Sequence, residues 1–183
     1  FPRSPKHSTS DDDTPKSKML SKVMSINILK ADPSKFGISS PVTDNRGNTR
    51  YFVTYNDKPA KFRTPKFTLK FNTKKFANNL ALQWFLDERQ LDILNEIEQS
   101  IQGVLDNAGI TGKCEIVKRG SKYGEVLRFK VPEYENKVAP KVQGTGFDNI
   151  GCMTSGTLCS YLPRGTGVNV SFTMSFYSQN GNF

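Results

Sequence analysis

The chain has 183 residues, with 26 Lys and Arg against 17 Asp and Glu, a formal charge of +9 and one histidine, His7. That length supports one domain with its own core, without disulfides or metal, and the charge attracts polyanions: nucleic acid first, an anionic membrane surface second. A single histidine in a polar tail excludes a His-based triad or a His-rich zinc site. No apolar run approaches the roughly 20 residues of a membrane span, and no charged n-region leads into an apolar stretch, so a soluble, non-secreted chain with no membrane partner is expected.

Residues 1–19 are rich in Ser, Thr, Pro, Lys and Asp and cannot repay the entropy of ordering, so they read as a disordered tail before a single domain over 20–183. The absence of an initiator Met points to a fragment, with Met19 nearer the natural start. Alternation from Leu20 to Leu29 predicts a first strand that ends at the turn Asp32-Pro33-Ser34. Arg50 to Tyr55, the turn Asn56-Asp57-Lys58-Pro59, and Lys61 to Phe71 predict a hairpin. Its second arm points Phe67, Leu69 and Phe71 to the core and Lys66, Thr68 and Lys70 to the other side.

Leu91, Leu94, Ile97, Ile101, Val104 and Leu105 form one apolar stripe, predicting a helix over Asp87 to Ala108, capped by Asp87 and closed at Gly109-Ile110. Its other face carries much of the chain's acid and should lie far from any phosphate. Two strands follow, Cys114 to Lys118 and Gly124 to Val131, joined by Arg119-Gly120-Ser121-Lys122-Tyr123. Glu133 to Gly151 reads as a long polar loop. Val168 to Tyr177 alternates without a break and predicts the clearest strand, and Asn180-Gly181 a hairpin turn beyond it, so a C-terminal truncation is expected. Short strands with one central helix define a mainly β fold with one long helix, expected as an OB-like, partly open antiparallel barrel. A jelly roll or sandwich is the competing architecture.

The chain carries no G-x-x-x-x-G-K-[ST] loop, and Gly144-Thr145-Gly146 and Gly165-Thr166-Gly167 are turn glycines. Serines lack an activating histidine, and carboxylates do not assemble a metal-dependent nuclease. No enzyme, cofactor or metal is expected. Cys114, Cys152 and Cys159 form no C-x-x-C pair, which suits a reducing, intracellular setting.

What remains is positive charge interleaved with rings, the mixture that neutralises phosphates and stacks bases. The candidate nucleic-acid-binding residues are Arg50, Lys58, Lys61, Arg63, Lys66, Lys70, Lys118, Arg119, Lys122, Tyr123, Arg128, Lys130 and Arg164, gathered around one groove. Phe67, Phe71, Phe129, Phe172 and Phe176 are assigned to the core. Tyr51, Tyr55, Trp84, Tyr123, Tyr134, Tyr161 and Tyr177 are the stacking candidates, since each can keep a polar end in water.

Four segments carry a family resemblance: Tyr55-Asn56-Asp57-Lys58-Pro59 leading to Phe62-Arg63-Thr64-Pro65-Lys66; the helix at Leu91 to Leu105; Leu127 to Pro132; and Leu162-Pro163-Arg164-Gly165 to Phe176-Tyr177-Ser178-Gln179-Asn180-Gly181. Their order resembles the single-stranded DNA-binding proteins of large nucleocytoplasmic DNA viruses and, more remotely, those of phage replication. The resemblance implies an OB-type domain that coats single strands in replication, recombination or repair, in the host cytoplasmic viral factory or the nucleus. Single-stranded DNA is the expected ligand, with RNA left open, and self-association or replication proteins are the expected partners. A virion structural or nucleoprotein component is the alternative.

Overall fold

A computed structural model describes residues 24–76, 79–140, 142–144 and 153–178. The tail, residues 20–23 of the first predicted strand and the Asn180-Gly181 turn lie outside them. The described chain starts with β1 (Met24–Asn27) and two 3-10 turns, Ile28–Lys30 and Pro33–Lys35, followed by β2 (Phe36–Ile38), β3 (Val42–Thr43), β4 (Thr49–Tyr55) and β5 (Lys58–Arg63). Asp32 caps the second turn: its carboxylate accepts from the Ser34 N–H at 3.0 Å and the Ser34 hydroxyl at 2.7 Å. β4 and β5 form a hairpin turned at Asn56 and Asp57, with φ of 53° and 60°, but its second arm ends at Arg63 instead of running on to Phe71, and Phe67–Thr68 is a separate strand with another partner. Such a two-residue turn needs left-handed backbone at both positions, and Asn and Asp tolerate it best after glycine. β1 runs parallel to β5, while β2, β3 and β15 (Ser175–Ser178) all pair with β4.

The second sheet has the order β7 (Lys75–Phe76), β8 (Asn79–Phe85), β10 (Val126–Lys130), β9 (Val117–Lys118). Between β8 and β9 lies the long helix, Glu88–Asn107, within a residue of the predicted span. Asp87 and Gln90 form a reciprocal capping box, and Ile110 N–H closes the far end on Leu105 C=O at 3.0 Å beyond Gly109, whose φ is +70°. Leu94, Ile97, Ile101 and Leu105 are buried, as the stripe requires.

The C-terminal third departs from expectation. The long polar loop contains a hairpin, β11 (Glu133–Tyr134) with β12 (Lys137–Val138), and a short helix, Ser155–Tyr161, follows it. The predicted closing strand is three strands, each with a different partner: β13 (Gly167–Val168) on β6 (Phe67–Thr68), β14 (Ser171–Phe172) on β5, and β15 on β4. Thr64 marks one break, since its hydroxyl accepts from Val170 N–H at 3.0 Å where a ladder carbonyl would otherwise serve. The alternation still sets the faces: Val168, Val170, Phe172, Met174 and Phe176 pack on the core.

The two large sheets share one core. Phe172 touches Phe62 of β5 and Phe129 of β10, with centroids 6.0 and 5.0 Å apart, and Phe67 stacks on Trp84 at 5.6 Å. The helix packs its stripe against β2, β9 and the 3-10 turns. The fold is thus mainly β with one long helix and a second short one, and among the described residues no sheet closes into a barrel. Also among them, no helix is long and apolar enough to cross a membrane.

Candidate nucleic-acid interface

Register decides what the second sheet shows to solvent. Leu80, Leu82 and Trp84 of β8 turn inward with Leu127 and Phe129 of β10, so Ala81, Gln83 and Phe85 turn outward. Opposite them stand Lys130, Arg128 and the buried Val126, and Lys118 of β9 lies beside Val126. The outward face therefore aligns Lys118, Arg128 and Lys130, with no carboxylate at any paired position.

One end of that face carries exposed rings. Leu69 N–H donates to Thr166 C=O at 2.9 Å, Gly165 N–H to Leu69 C=O at 2.8 Å, and Thr73 N–H to Leu162 C=O at 3.1 Å. These bonds carry the chain beyond β6 along residues 162–166, where Phe71 faces solvent. Phe71, assigned to the core from its phase, is 47% exposed. Its ring lies 5.8 Å from Phe85 and 5.1 Å from Tyr123, both inclined near 60°. Tyr123 stands on the β9–β10 turn between Gly120 and Gly124, whose φ values are +79° and +112°, and is 59% exposed. Lys70 Nζ sits 4.8 Å over the Phe85 ring and Lys122 Nζ 5.7 Å from that of Tyr123. Arg164, positioned by its N–H bond to Asn72 Oδ1 at 2.8 Å, lines a groove of about 370 Å³ with Lys70 and Phe71.

Lys70, Lys118, Lys122, Tyr123, Arg128, Lys130 and Arg164 thus frame one surface. The other predicted residues do not join it. Arg50, Lys61 and Arg63 lie on the outward face of the first sheet, and Lys58 opens β5 at the hairpin turn. Lys66 lays its stem over Gly167, where an added Cβ would collide with Lys66 Cε. Arg119 turns back to the long helix, pairing with Glu98 Oε1 at 3.0 Å and bonding Asn95 Oδ1. Its guanidinium holds β9 to the helix, with Glu98 Oε2 accepting from Ile116 and Val117 N–H at 2.9 and 3.0 Å.

Several stacking candidates are also reassigned. Trp84 is 2% exposed, and Tyr55 is buried with its hydroxyl accepting from Asp32 N–H at 2.9 Å. Tyr134, Tyr161 and Tyr177 are exposed. Phe71 and Phe76, 47% and 75% exposed, and the half-buried Phe85 are the rings that sequence reasoning missed. For Phe85 a signal existed: it falls out of phase with Trp84 in an alternating strand.

Acid bounds the cationic row at its far end. Lys75 and Glu133 form an ion pair at 2.8 Å in a cavity of about 380 Å³ that Lys130, Asn79 and Glu135 also line. The Lys75 contact, and the Ser155 hydroxyl after it, hold the Glu133 carboxyl below its ordinary value. Burial, with Glu98 and Glu115 nearby, pushes the Cys114 thiol up to about 12, so it carries no thiolate chemistry. Among the described residues no three of His, Cys, Asp and Glu gather as a metal would need.

These features define a mainly β fold with one sheet face whose paired positions hold cations and no carboxylate, flanked by the exposed rings of Phe71 and Tyr123. Comparison with known protein families, curated proteins and solved structures finds no match for the chain.

Proposed function

We propose that the outward face of the second sheet binds single-stranded nucleic acid, DNA foremost, without reading sequence. The observation that carries this reading is the contact chain Phe85, Phe71, Tyr123, with Lys70 and Lys122 against its rings, continuing into the row Lys118, Arg128, Lys130. Exposed rings cost a folded protein solubility and gain nothing for its core. Free bases offer π-faces to such rings whatever their identity, whereas a duplex keeps its bases stacked on one another. The cations follow the phosphates. With Lys70, Lys118, Lys122, Arg128, Lys130 and Arg164 all engaged, log K should fall against log salt with a slope of about 4, at about 0.7 per contact.

In this reading the two sheets and the helix act as an open, OB-like scaffold, and the chain coats single strands in viral replication, recombination or repair. The family resemblance supports that role, with the viral factory or nucleus as its place and self-association or replication proteins as its company. Catalysis is not part of it. The test is fluorescence-anisotropy titration of labelled single-stranded DNA, double-stranded DNA and single-stranded RNA of equal length across a salt series. The expected result is preference for the single strand, with homopolymers bound comparably. Equal weak binding of all three, vanishing with salt, would overturn the reading and favour a virion structural component.

A further inference from the structure

The outward face of the first sheet carries a second set of cations and rings that the proposed site leaves unused. Thr54 opposite Pro59 fixes the phase, in which Arg50 and Phe52 of β4 and Lys61 and Arg63 of β5 alternate outward, while beyond that pair β4 takes β15 as its neighbour and β5 takes β1 and β14. Tyr177 stands opposite Arg50 and joins them. The Arg50 guanidinium lies 4.6 Å from the Phe52 ring centroid and 5.1 Å from that of Tyr177, which is 50% exposed. Among the described residues none of these three cations has an ion-pair partner, and every paired position on this side is basic or uncharged. Among the described residues Arg63 hydrogen-bonds Ser25 alone, through its carbonyl at 2.6 Å and its hydroxyl at 3.2 Å.

Position separates this set from the first. Phe62 and Phe129 meet the same ring, Phe172, from the inner sides of the two sheets, so the two outward faces look away from each other across the core. One short strand cannot cover both. Stacking between Phe52 and Tyr177 also fixes the Arg50 plane before any ligand arrives, which lowers the ordering cost of binding an anion.

We infer that this face is a second single-strand site, so that one chain holds two segments of single-stranded nucleic acid at once. The inference rests on the proposed function and extends it from coating to the joining of strand segments. Its chemistry is the same: phosphates on Arg50, Lys61 and Arg63, and a base on Tyr177.

The test is binding stoichiometry at low salt, by native mass spectrometry and titration, with a homothymidine oligomer of about six nucleotides, near the short end of single-module sites. Two oligomers per chain are expected for the wild type. One is expected for Phe71→Ala/Tyr123→Ala, and one for Lys61→Glu/Tyr177→Ala, which leaves Arg50 and the Arg63 bonds to β1 in place. A charge-matched Lys35→Glu control should keep two, and thermal unfolding verifies that each variant is folded. One oligomer per wild-type chain, undiminished in Lys61→Glu/Tyr177→Ala, would overturn the second face alone. No bound oligomer on the wild type would overturn the proposed function as well.

Discussion

Replacing Tyr123 with Ala separates a stacking ring from a surface ring that merely sits there. Tyr123 is 59% exposed, its ring touches Phe71 at 5.1 Å, and its N–H bonds Ser121 Oγ at 3.2 Å, a bond that the substitution keeps. No core space opens, so folding stability should shift by no more than about 0.5 kcal/mol. Loss of a base-stacking ring costs about 1–3 kcal/mol in binding, which converts to an affinity loss of about 5- to 150-fold. Phe71→Ala should match or exceed that, because Phe71 contacts both Phe85 and Tyr123. The two losses should be less than additive, since rings in contact share one coupling of about 0.5–1.5 kcal/mol. Salt resolves the mechanism: Tyr123→Ala should lower log K by the same amount at every salt concentration, whereas Lys122→Gln should reduce the slope by about 0.7. Anisotropy titrations of a labelled homothymidine strand across a salt series read both quantities. A folded Tyr123→Ala variant that keeps wild-type affinity throughout would refute the stacking argument.

Glu98→Ala leaves the Ile116 and Val117 N–H groups without their acceptor and should cost about 1–3 kcal/mol, lowering the urea midpoint at unchanged m-value. Arg119→Ala should destabilise less and leave the salt slope of binding untouched, because its guanidinium is committed to Glu98; a reduced slope would return Arg119 to the interface. Cys114, 2% exposed with its thiol pushed up to about 12, should resist alkylation in the native protein at neutral pH and label only after denaturation, as peptide mass spectrometry would report. Glu133 is held below its ordinary value of 4.5 when folded, so its ion pair contributes stability above that pH and loses it as pH falls through the folded value. Glu133→Gln should therefore flatten the acid limb of a melting-temperature series, and an unchanged limb would place the acid sensitivity elsewhere.

Local signals were legible and distant ones were not. The long helix declared itself because period, Asp87 cap and Gly109 stop all lie within one continuous segment. The β4–β5 hairpin was equally local, resting on Asn56 and Asp57. Leu127 and Phe129 against Arg128 and Lys130 were sorted correctly by alternation alone. The closing strand shows the limit of that rule: alternation sets which side chains face inward, but the choice among β6, β5 and β4 as partner is made by residues about a hundred positions away. Phe71 failed because the regular strand its phase assumed stops at Thr68, and the chain beyond it follows residues 162–166 in irregular pairing. Arg119 looked like any surface cation until Glu98 was brought beside it. The short helix, seven residues with Ser and Gly at its start and Thr154 as cap, was too brief for a period to show.

Net charge alone does not explain where a polyanion would settle, because the charge is sorted. The long helix carries Glu88, Asp92, Glu96, Glu98 and Asp106 and sends its apolar stripe to the core, while the paired positions on both outward sheet faces hold no acid. Asp92 and Glu96 lie on the helix and at no paired position of the second sheet, so they act on a nucleic-acid strand bound to its outward face only through a medium whose Debye length is about 8 Å at physiological salt. Neutralising Asp92 and Glu96 as Asp92→Asn/Glu96→Gln adds two units of net positive charge without touching that face. If binding is local to the face, the affinity and salt slope at physiological salt should match the wild type, with a faster association rate only at low salt. If the chain instead gathers nucleic acid as a diffuse polycation, affinity should rise with net charge at every salt concentration, and the ring substitutions should then leave it unchanged. The two variants together separate a built surface from a merely basic protein.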